Sequence, residues 1–423
     1  MVVGPYSLVG NFFLRARESG ILAACKDVVV RLAYLAVPAA EVGSFLVFLY
    51  VLYALATRHS AKKHSAILLG VASPDREPPH DIMKPHFFQN RQGLWLHHGL
   101  IWDESKHGPP VAVAVLLHGH SEHSRRFIHV AEHLNSQGVA VFIMDHQGFG
   151  RSEGDRAHVE NFMHYVDDVM DFMQNVVWED HPAWRPLARF LVGHSMGGLI
   201  AIHTALRCQD SSHPAHHLSG VMLSAPAVHV DPSRNNAVLT LVGKILDVIA
   251  PKLPVISFPA HPSTTFLQVK LHATFDPLNY QGDVRIHQGL ELLRATGLAL
   301  EFAPAFTTPI IIAHGTEDLH CDIRGSREFI SLIKSEDKTL MELPNLRHEP
   351  WQEVAEVRDP ILHKFSSWLL ARIKESPQPP AARQLKQMKM RPHPSDGSAA
   401  STLCSASSGS MAVDEDDLAV AAS

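Results

Sequence analysis

Cysteine is scarce in this chain, and its four residues lie far apart along the sequence. They stand at Cys25, Cys208, Cys321 and Cys404 among 423 residues, and no two form a C-x-x-C pair. This spacing argues against a disulfide-bonded scaffold and against a zinc knuckle. It is typical of a catalytic domain in a reducing compartment.

An excess of basic residues is also absent. Lys and Arg number 37 against 43 Asp and Glu, so the formal net charge is −6. Because proteins that contact nucleic-acid phosphates carry a basic surface, we expect no nucleic-acid partner. Histidine, in contrast, occurs 30 times, so a single histidine motif carries little weight by itself.

Only one apolar run approaches the length of a membrane-spanning helix. Val42–Ala56 reads VGSFLVFLYVLYALA without a charge, whereas Pro38 and Glu41 interrupt the longer window. A span needs about 20 apolar residues. We expect residues 1–57 to be an uncleaved membrane anchor. The alternatives are a buried or interfacial helix and, because the run begins late, less plausibly a processed signal.

The rest of the chain divides by composition. Residues 58–79 are a polar, proline-containing linker, and structured sequence covers 80–374. Residues 375–423 are rich in serine and alanine and end in an acidic run, so we expect a disordered tail.

The structured part alternates short apolar runs with helical patterns, which predicts an α/β fold with a mostly parallel sheet covered by helices on both faces. The predicted strands are Val111–Leu117, Val139–Asp145, Phe190–Gly193, Gly220–Ala225, Pro309–Ala313 and Thr339–Leu343. The predicted helices between and after them are Phe127–Gln137, Phe162–Trp178, Met196–Cys208, Gly325–Lys334 and Val357–Ile373.

A G-x-S-x-G motif lies between a predicted strand and a predicted helix, in the stretch FLVGHSMGGLIA at Phe190–Ala201. This is the context of a nucleophile elbow, where a sharp turn lifts the serine hydroxyl above the sheet. The turn needs small neighbours two residues away, and Gly193 and Gly197 meet that need. We therefore predict Ser195 to be a nucleophile; a serine that only caps the helix is the alternative.

A serine nucleophile requires a base and an acid that orients the base. A fold with a nucleophile elbow supplies them along the chain in the order serine, acid, histidine. After the strand Pro309–Ala313 we choose Asp318 as the acid, with Glu317 and Asp322 as competitors. The loop after the last strand contains a single histidine, His348, which we choose as the base.

The loop after the first predicted strand reads HGHSEH from His118 to His123. In this arrangement it supplies one backbone N–H to the oxyanion hole, and the residue after the nucleophile supplies another. We predict these to be His120 and Met196. The letters also match an H-x-H-x-acid-H metal motif. Glu122 is not the expected aspartate, however, and no later ligand pattern follows, so we predict no metal and no cofactor.

Two further features concern competing functions. His98 and Asp103 form an H-x-x-x-x-D acyltransferase pattern, which precedes the core sheet and which we interpret as chance. The long interval after the strand ending near Ala225 predicts a cap over about 229–306. Its helix Asn236–Leu253 is apolar at helical spacing, either to pack on the core or to meet a membrane and admit acyl chains. An aminopeptidase would cluster acids there, but the cap acids are scattered along the sequence at Asp231, Asp276, Asp283 and Glu291.

Residues 80–374 resemble the monoglyceride lipase family of α/β hydrolases, which is similar to serine aminopeptidase S33 and lysophospholipase sequences. Five separated blocks carry the resemblance: His118-Gly119 with Glu122-His123-Ser124, the run Asp145–Gly154, Gly193–Gly198, Gly315 with Asp318-Cys321-Asp322, and Asp337–Leu340. The resemblance implies the triad Ser195, Asp318 and His348, a fatty-acyl glycerol ester substrate and no metal. From the N-terminal apolar run and the cap helix we also expect a membrane surface as partner.

The chain departs from the family pattern at three positions. Ser121 replaces a common glycine, Phe149 replaces a common histidine, and His348 is followed by Glu-Pro. We expect triad chemistry on a monoacylglycerol. Lysophospholipase or another carboxylesterase is the alternative, followed by a proline-type aminopeptidase, an acyltransferase or an inactive binding protein.

Overall fold

Ten strands form the two sheets of the computed structural model, which describes residues 86–210, 217–229, 237–256, 263–264 and 266–375. The segments 1–57 and 58–79 and the tail beyond Glu375 lie outside these described residues. The strands are β1 (Phe87–Gln89), β2 (Trp95–Ile101), β3 (Ala112–Leu117), β4 (Val139–Met144), β5 (Ala188–His194), β6 (Gly220–Ser224), β7 (Pro254–Ile256), β8 (Val284–Arg285), β9 (Ile310–Gly315) and β10 (Lys338–Leu343).

Eight strands make the main sheet in the order β1-β2-β4-β3-β5-β6-β9-β10. All six predicted strands are present and pair in parallel, whereas β1 and β2 extend one edge in antiparallel pairing. Side chains of β3 alternate between two buried clusters, Val113, Val115 and Leu117 facing one and Ala112, Ala114 and Leu116 the other. Both faces of the sheet are therefore covered, which explains the uninterrupted apolar runs.

Helices cover both faces and continue past the last strand. They are α1 (Glu104–His107), α2 (Ile128–Asn135), α3 (Met163–Phe172), α4 (Trp178–Asp180), α5 (Met196–Gln209), α6 (Ala237–Ile249), α7 (Leu267–Phe275), α8 (Ile286–Phe302), α9 (Ile323–Leu332) and α10 (Ala355–Glu375). The helix predicted at Phe162–Trp178 is present as one continuous helical segment, in which a π-helical turn at Met173–Val177 joins α3 to α4.

The insertion predicted after the strand ending near Ala225 is confirmed. Between β6 and β9 the chain forms α6, β7, α7, β8 and α8. Backbone hydrogen bonds join this cap to the core, since Tyr280 N–H donates to the Ser121 carbonyl and Asp322 N–H donates to the His229 carbonyl. Within the described ranges, no helix combines the length and apolar character needed to cross a bilayer.

Candidate active site

Ser195 lies on the sharp turn between β5 and α5, with φ 53° and ψ −118°. A positive φ is unfavourable for a residue with a side chain, so the surrounding packing must hold it. A Cβ at Gly193 would lie 2.6 Å from the Gly197 carbonyl oxygen, and one at Gly197 would lie 2.2 Å from the Leu117 carbonyl oxygen. The two glycines of the motif are therefore required by close backbone contacts, as the sequence predicts.

The structure brings Ser195, His348 and Asp318 into one hydrogen-bonded line. His348 Nε2 is 2.9 Å from Ser195 Oγ, and His348 Nδ1 is 2.7 Å from Asp318 Oδ2. Of the competing acids, Glu317 is exposed and Asp322 caps α9 and pairs with Arg324. Asp318 is therefore the acid of the line.

Burial and neighbouring charges together determine the pKa values of His348 and Asp318. Burial lowers the pKa of His348, but the negative charge of Asp318 and the hydrogen bond to it outweigh burial, and Glu349 and Glu122 add to the effect. The pKa of His348 is therefore raised above its ordinary value. Burial alone would raise the pKa of Asp318, but the two histidines that contact its carboxylate hold it well below its usual range. Asp318 is thus an anion at neutral pH.

The loop that carries His120 lies directly against the nucleophile. A Cβ at Gly119 would lie 3.1 Å from the Ser195 Cβ. Ser121 adopts a φ of 69°, a conformation that glycine adopts readily, which accounts for the glycine common at this position in the family. Met196 follows Ser195 and begins α5, so its N–H has no partner within the helix. The oxyanion roles of His120 and Met196 stay a prediction.

A buried network of ion pairs joins the loop of His120 to the loop that carries His348. Glu122 accepts a hydrogen bond from Gly119 N–H at 2.6 Å and another from Arg126 at 2.6 Å. Arg126 also donates to Glu349 at 3.2 Å. Sequence reasoning assigned no role to Arg126 or Glu349, because 223 residues separate the two. The Glu-Pro departure after His348 thus supplies a charge to this network.

The histidines of the H-x-H-x-acid-H motif contact separate groups of the protein. His118 Nε2 accepts from the backbone N–H of His146, whereas His123 Nε2 lies 2.8 Å from Asp276 Oδ2. Burial lowers the pKa values of His118 and His120 to about 4. In the part of the chain that the structure describes, no group of three or more histidine, cysteine or acidic side chains could hold a metal ion.

The fold gives the two residues of the H-x-x-x-x-D acyltransferase pattern separate structural roles. His98 is buried in β2, opposite Met144, and burial lowers its pKa to about 4. Asp103 instead caps α1 and pairs with Lys106. Because the two residues serve separate structural tasks, the pattern does not form a site.

Sequence reasoning assigned no role to two buried residues beside the triad. Cys321 Sγ lies 4.0 Å from Ser195 Oγ. His314 Nε2 lies 3.1 Å from Asp318 Oδ2. The position of His314 at the end of β9 was visible in the sequence, but its direction was not, because it depends on how the following loop folds back.

A parallel sheet with a strained serine elbow, and an acid and a histidine after its last two strands, defines the serine α/β hydrolases. The sequence profile of the family Serine aminopeptidase, S33, matches residues 108–355. The chain belongs to this family of hydrolases, which confirms the expected fold class.

Particular relatives support the same assignment. The chain is 32% identical over 268 residues to monoglyceride lipase from Homo sapiens, an alignment that covers 63% of this chain and 84% of the relative. It is 31% identical over 264 residues to monoacylglycerol lipase from Mycolicibacterium smegmatis, covering 62% and 90%. The crystal structure of Paleococcus ferrophilus monoacylglycerol lipase matches with a TM-score of 0.56 and 25% identity, covering 66% of this chain and 99% of that one. The chain is thus related to monoglyceride lipases.

Proposed function

We propose that this protein is a serine esterase that hydrolyses monoacylglycerol to a free fatty acid and glycerol. The observation that carries the proposal is the hydrogen-bonded line from Ser195 through His348 to Asp318. The relatives named monoglyceride lipase support the choice of substrate.

Each member of the line has a defined task. Ser195 Oγ attacks the ester carbonyl while His348 Nε2 accepts its proton, and Asp318 stabilises the imidazolium that forms. Backbone N–H groups of His120 and Met196 bind the oxyanion. His348 then protonates the departing glycerol, and a water molecule activated by His348 releases the fatty acid. This route needs no metal and no cofactor.

The cap acids support an esterase rather than an aminopeptidase. Asp276 is held by His123, Asp247 lies 2.9 Å from His287 Nδ1, and Glu291 pairs with Arg294. An amino-terminal substrate would need carboxylates directed at the nucleophile, but these three serve contacts within the protein.

We also propose that the protein works at a membrane surface. The cap helix α6 exposes 60% of Leu241, 55% of Ile245 and 86% of Val248. These residues follow the spacing of one helix face, which suits an interfacial helix. Residues 1–57 would add an anchor. Carbonate extraction should leave the full chain on membranes and release a chain lacking 1–57; release of both would contradict the anchor.

Labelling and turnover test the enzymatic proposal. A fluorophosphonate probe should label the wild type and not Ser195→Ala, because the probe reacts with an activated serine. Turnover of monoacylglycerol should exceed that of a lysophospholipid and of a proline amide. Labelling that is unchanged in Ser195→Ala would contradict the assigned nucleophile, and a preference for the lysophospholipid would change the substrate.

A further inference from the structure

The carboxylate of Asp318 is shared between two imidazoles. His348 Nδ1 lies 2.7 Å from Asp318 Oδ2, and His314 Nε2 lies 3.1 Å from the same oxygen. The other oxygen, Oδ1, accepts hydrogen bonds from the backbone N–H groups of His320 and Cys321. The side chains of His314 and Asp318 are both completely buried, so no water competes for these contacts.

The partners of His314 define which of its nitrogen atoms carries the hydrogen. Nε2 faces two acceptors, Asp318 Oδ2 and the Cys321 carbonyl oxygen, which lies at 3.0 Å. Nε2 must therefore be a donor. Nδ1 lies 2.8 Å from Oγ of Ser326, a fully buried residue of α9. The neutral ring satisfies all partners when the Ser326 hydroxyl donates to Nδ1, so the single N–H of His314 is shared between the Cys321 carbonyl oxygen and the Asp318 carboxylate.

The contact between His314 and Asp318 forms at the end of β9. His314 is the last residue with a side chain on that strand, and Asp318 follows after a turn. A Cβ at Gly315 would lie 2.2 Å from the Arg347 carbonyl oxygen. The loop that carries His348 therefore packs directly on the strand end, which brings the three side chains together.

We propose that His314 is a positioning residue for the acid of the triad. Its N–H fixes the orientation of the Asp318 carboxylate and takes up part of its negative charge. The carboxylate therefore raises the pKa of His348 less than it would if His348 were its only side-chain donor. This role rests on the proposed function, because it acts through the base and not on the substrate.

Several other titratable groups surround these side chains, and none of them changes in the test below. Besides Asp318, the carboxylates of Glu122 and Glu349 raise the pKa of His348. The rings of His194 and His320 each have their centroids 4.9 Å from that of His348. On β10, Glu342 is the register partner of His314 and is paired with Arg327.

Two substitutions separate a positioning role from a merely structural one. His314→Leu removes the N–H donor, so the charge of Asp318 acts more fully on His348. We expect the acidic limb of the kcat/KM profile to move upward by about one pH unit, with a loss of about tenfold below the new midpoint. His314→Gln keeps an N–H donor of similar reach and should restore the limb to its wild-type position. The measurement is hydrolysis of a soluble nitrophenyl ester by the full chain across the range in which histidine titrates.

Ser326→Ala provides a second test that leaves the imidazole in place. Without its partner on Nδ1, His314 is a weaker donor, so the limb should move in the same direction by a smaller amount. A limb that stays in place in His314→Leu and Ser326→Ala, with activity lowered equally at every pH, would overturn the positioning role. A wild type without ester turnover would instead contradict the proposed function.

Discussion

At the scale of single residues, the protonation state of His348 controls the proposed reaction. The base must be neutral to accept the proton of Ser195, and a raised pKa means that it becomes neutral only at higher pH. The carboxylates of Asp318, Glu349 and Glu122 all act in this direction. We therefore expect the same carboxylates that orient the base to lower activity on mild acidification.

This gives a pH dependence with a defined sign. We expect kcat/KM to rise with pH along a limb whose midpoint lies above 6.5, the ordinary histidine value. Glu349→Gln removes one of the charges that raise the pKa, so its midpoint should lie below that of the wild type. Steady-state hydrolysis of a soluble ester at constant ionic strength measures both.

A matched control for this comparison is Glu342→Gln, which removes an exposed carboxylate of β10 that pairs with Arg327. Its midpoint should equal that of the wild type, because solvent screens an exposed charge. An equal displacement in both variants would mean that net charge, and not the position of Glu349 beside His348, sets the midpoint.

The sequence is sufficient to predict the three residues of the triad but not the residues that hold them in place. Ser195, Asp318 and His348 each follow a strand whose apolar run is easily recognised, and strand order predicts the three loops. Only the structure separates Asp318 from its competitors Glu317 and Asp322. Arg126 and His314 escape this reasoning. Their roles depend on contacts between separate loops, and no local pattern in the sequence encodes those contacts.

At the scale of elements, the nucleophile elbow depends on how closely α5 approaches β3. We expect Gly197→Ala to lower the free energy of unfolding by about 3 kcal/mol and to abolish fluorophosphonate labelling. The reason is that its Cβ would lie 2.2 Å from the Leu117 carbonyl oxygen and 2.5 Å from that of His118. Both obstacles are backbone atoms, which cannot rotate away. Chemical denaturation and labelling measure the two effects.

The control is the same substitution in another helix. A Cβ at Gly297 of α8 would meet nothing within 4 Å. Gly297→Ala should leave labelling unchanged and raise stability by up to about 1 kcal/mol, because alanine favours a helix more than glycine does. Equal destabilisation by the two substitutions would argue against steric contact at the elbow.

Elements were predicted best where burial is complete. Strands β3 to β6 and β9 are buried along their whole length, so each contains an apolar run that the sequence reveals. Strands β1 and β2, which extend one edge of the sheet, were missed, since their burial is mixed and β2 contains polar residues such as His97 and His98. The π-helical turn at Met173–Val177 was also missed, because no proline or glycine marks it in the sequence.

At the scale of the whole molecule, the cap contacts the core while exposing apolar side chains on its outer face. Its helix α6 packs near α8, where a Cβ at Gly243 would be 3.7 Å from Leu290. Leu241, Ile245 and Val248 are nevertheless exposed. One side of α6 therefore packs within the cap and the other is exposed, and the docking of the exposed side on a membrane stays a prediction.

A charge placed on this exposed face should separate interfacial from soluble catalysis. We expect the double variant Ile245→Asp and Val248→Asp to lower turnover of monoacylglycerol in phospholipid vesicles by about tenfold, because aspartate opposes insertion of α6 into the interface. Hydrolysis of a soluble ester should stay unchanged, since neither side chain belongs to the triad. The control is Leu332→Asp on α9, a site 39% exposed but outside the cap. Comparable losses on vesicles and in solution would show damage to the active site, and equal vesicle losses in the control would show a general effect of charge. Either result would contradict a cap that docks on the membrane.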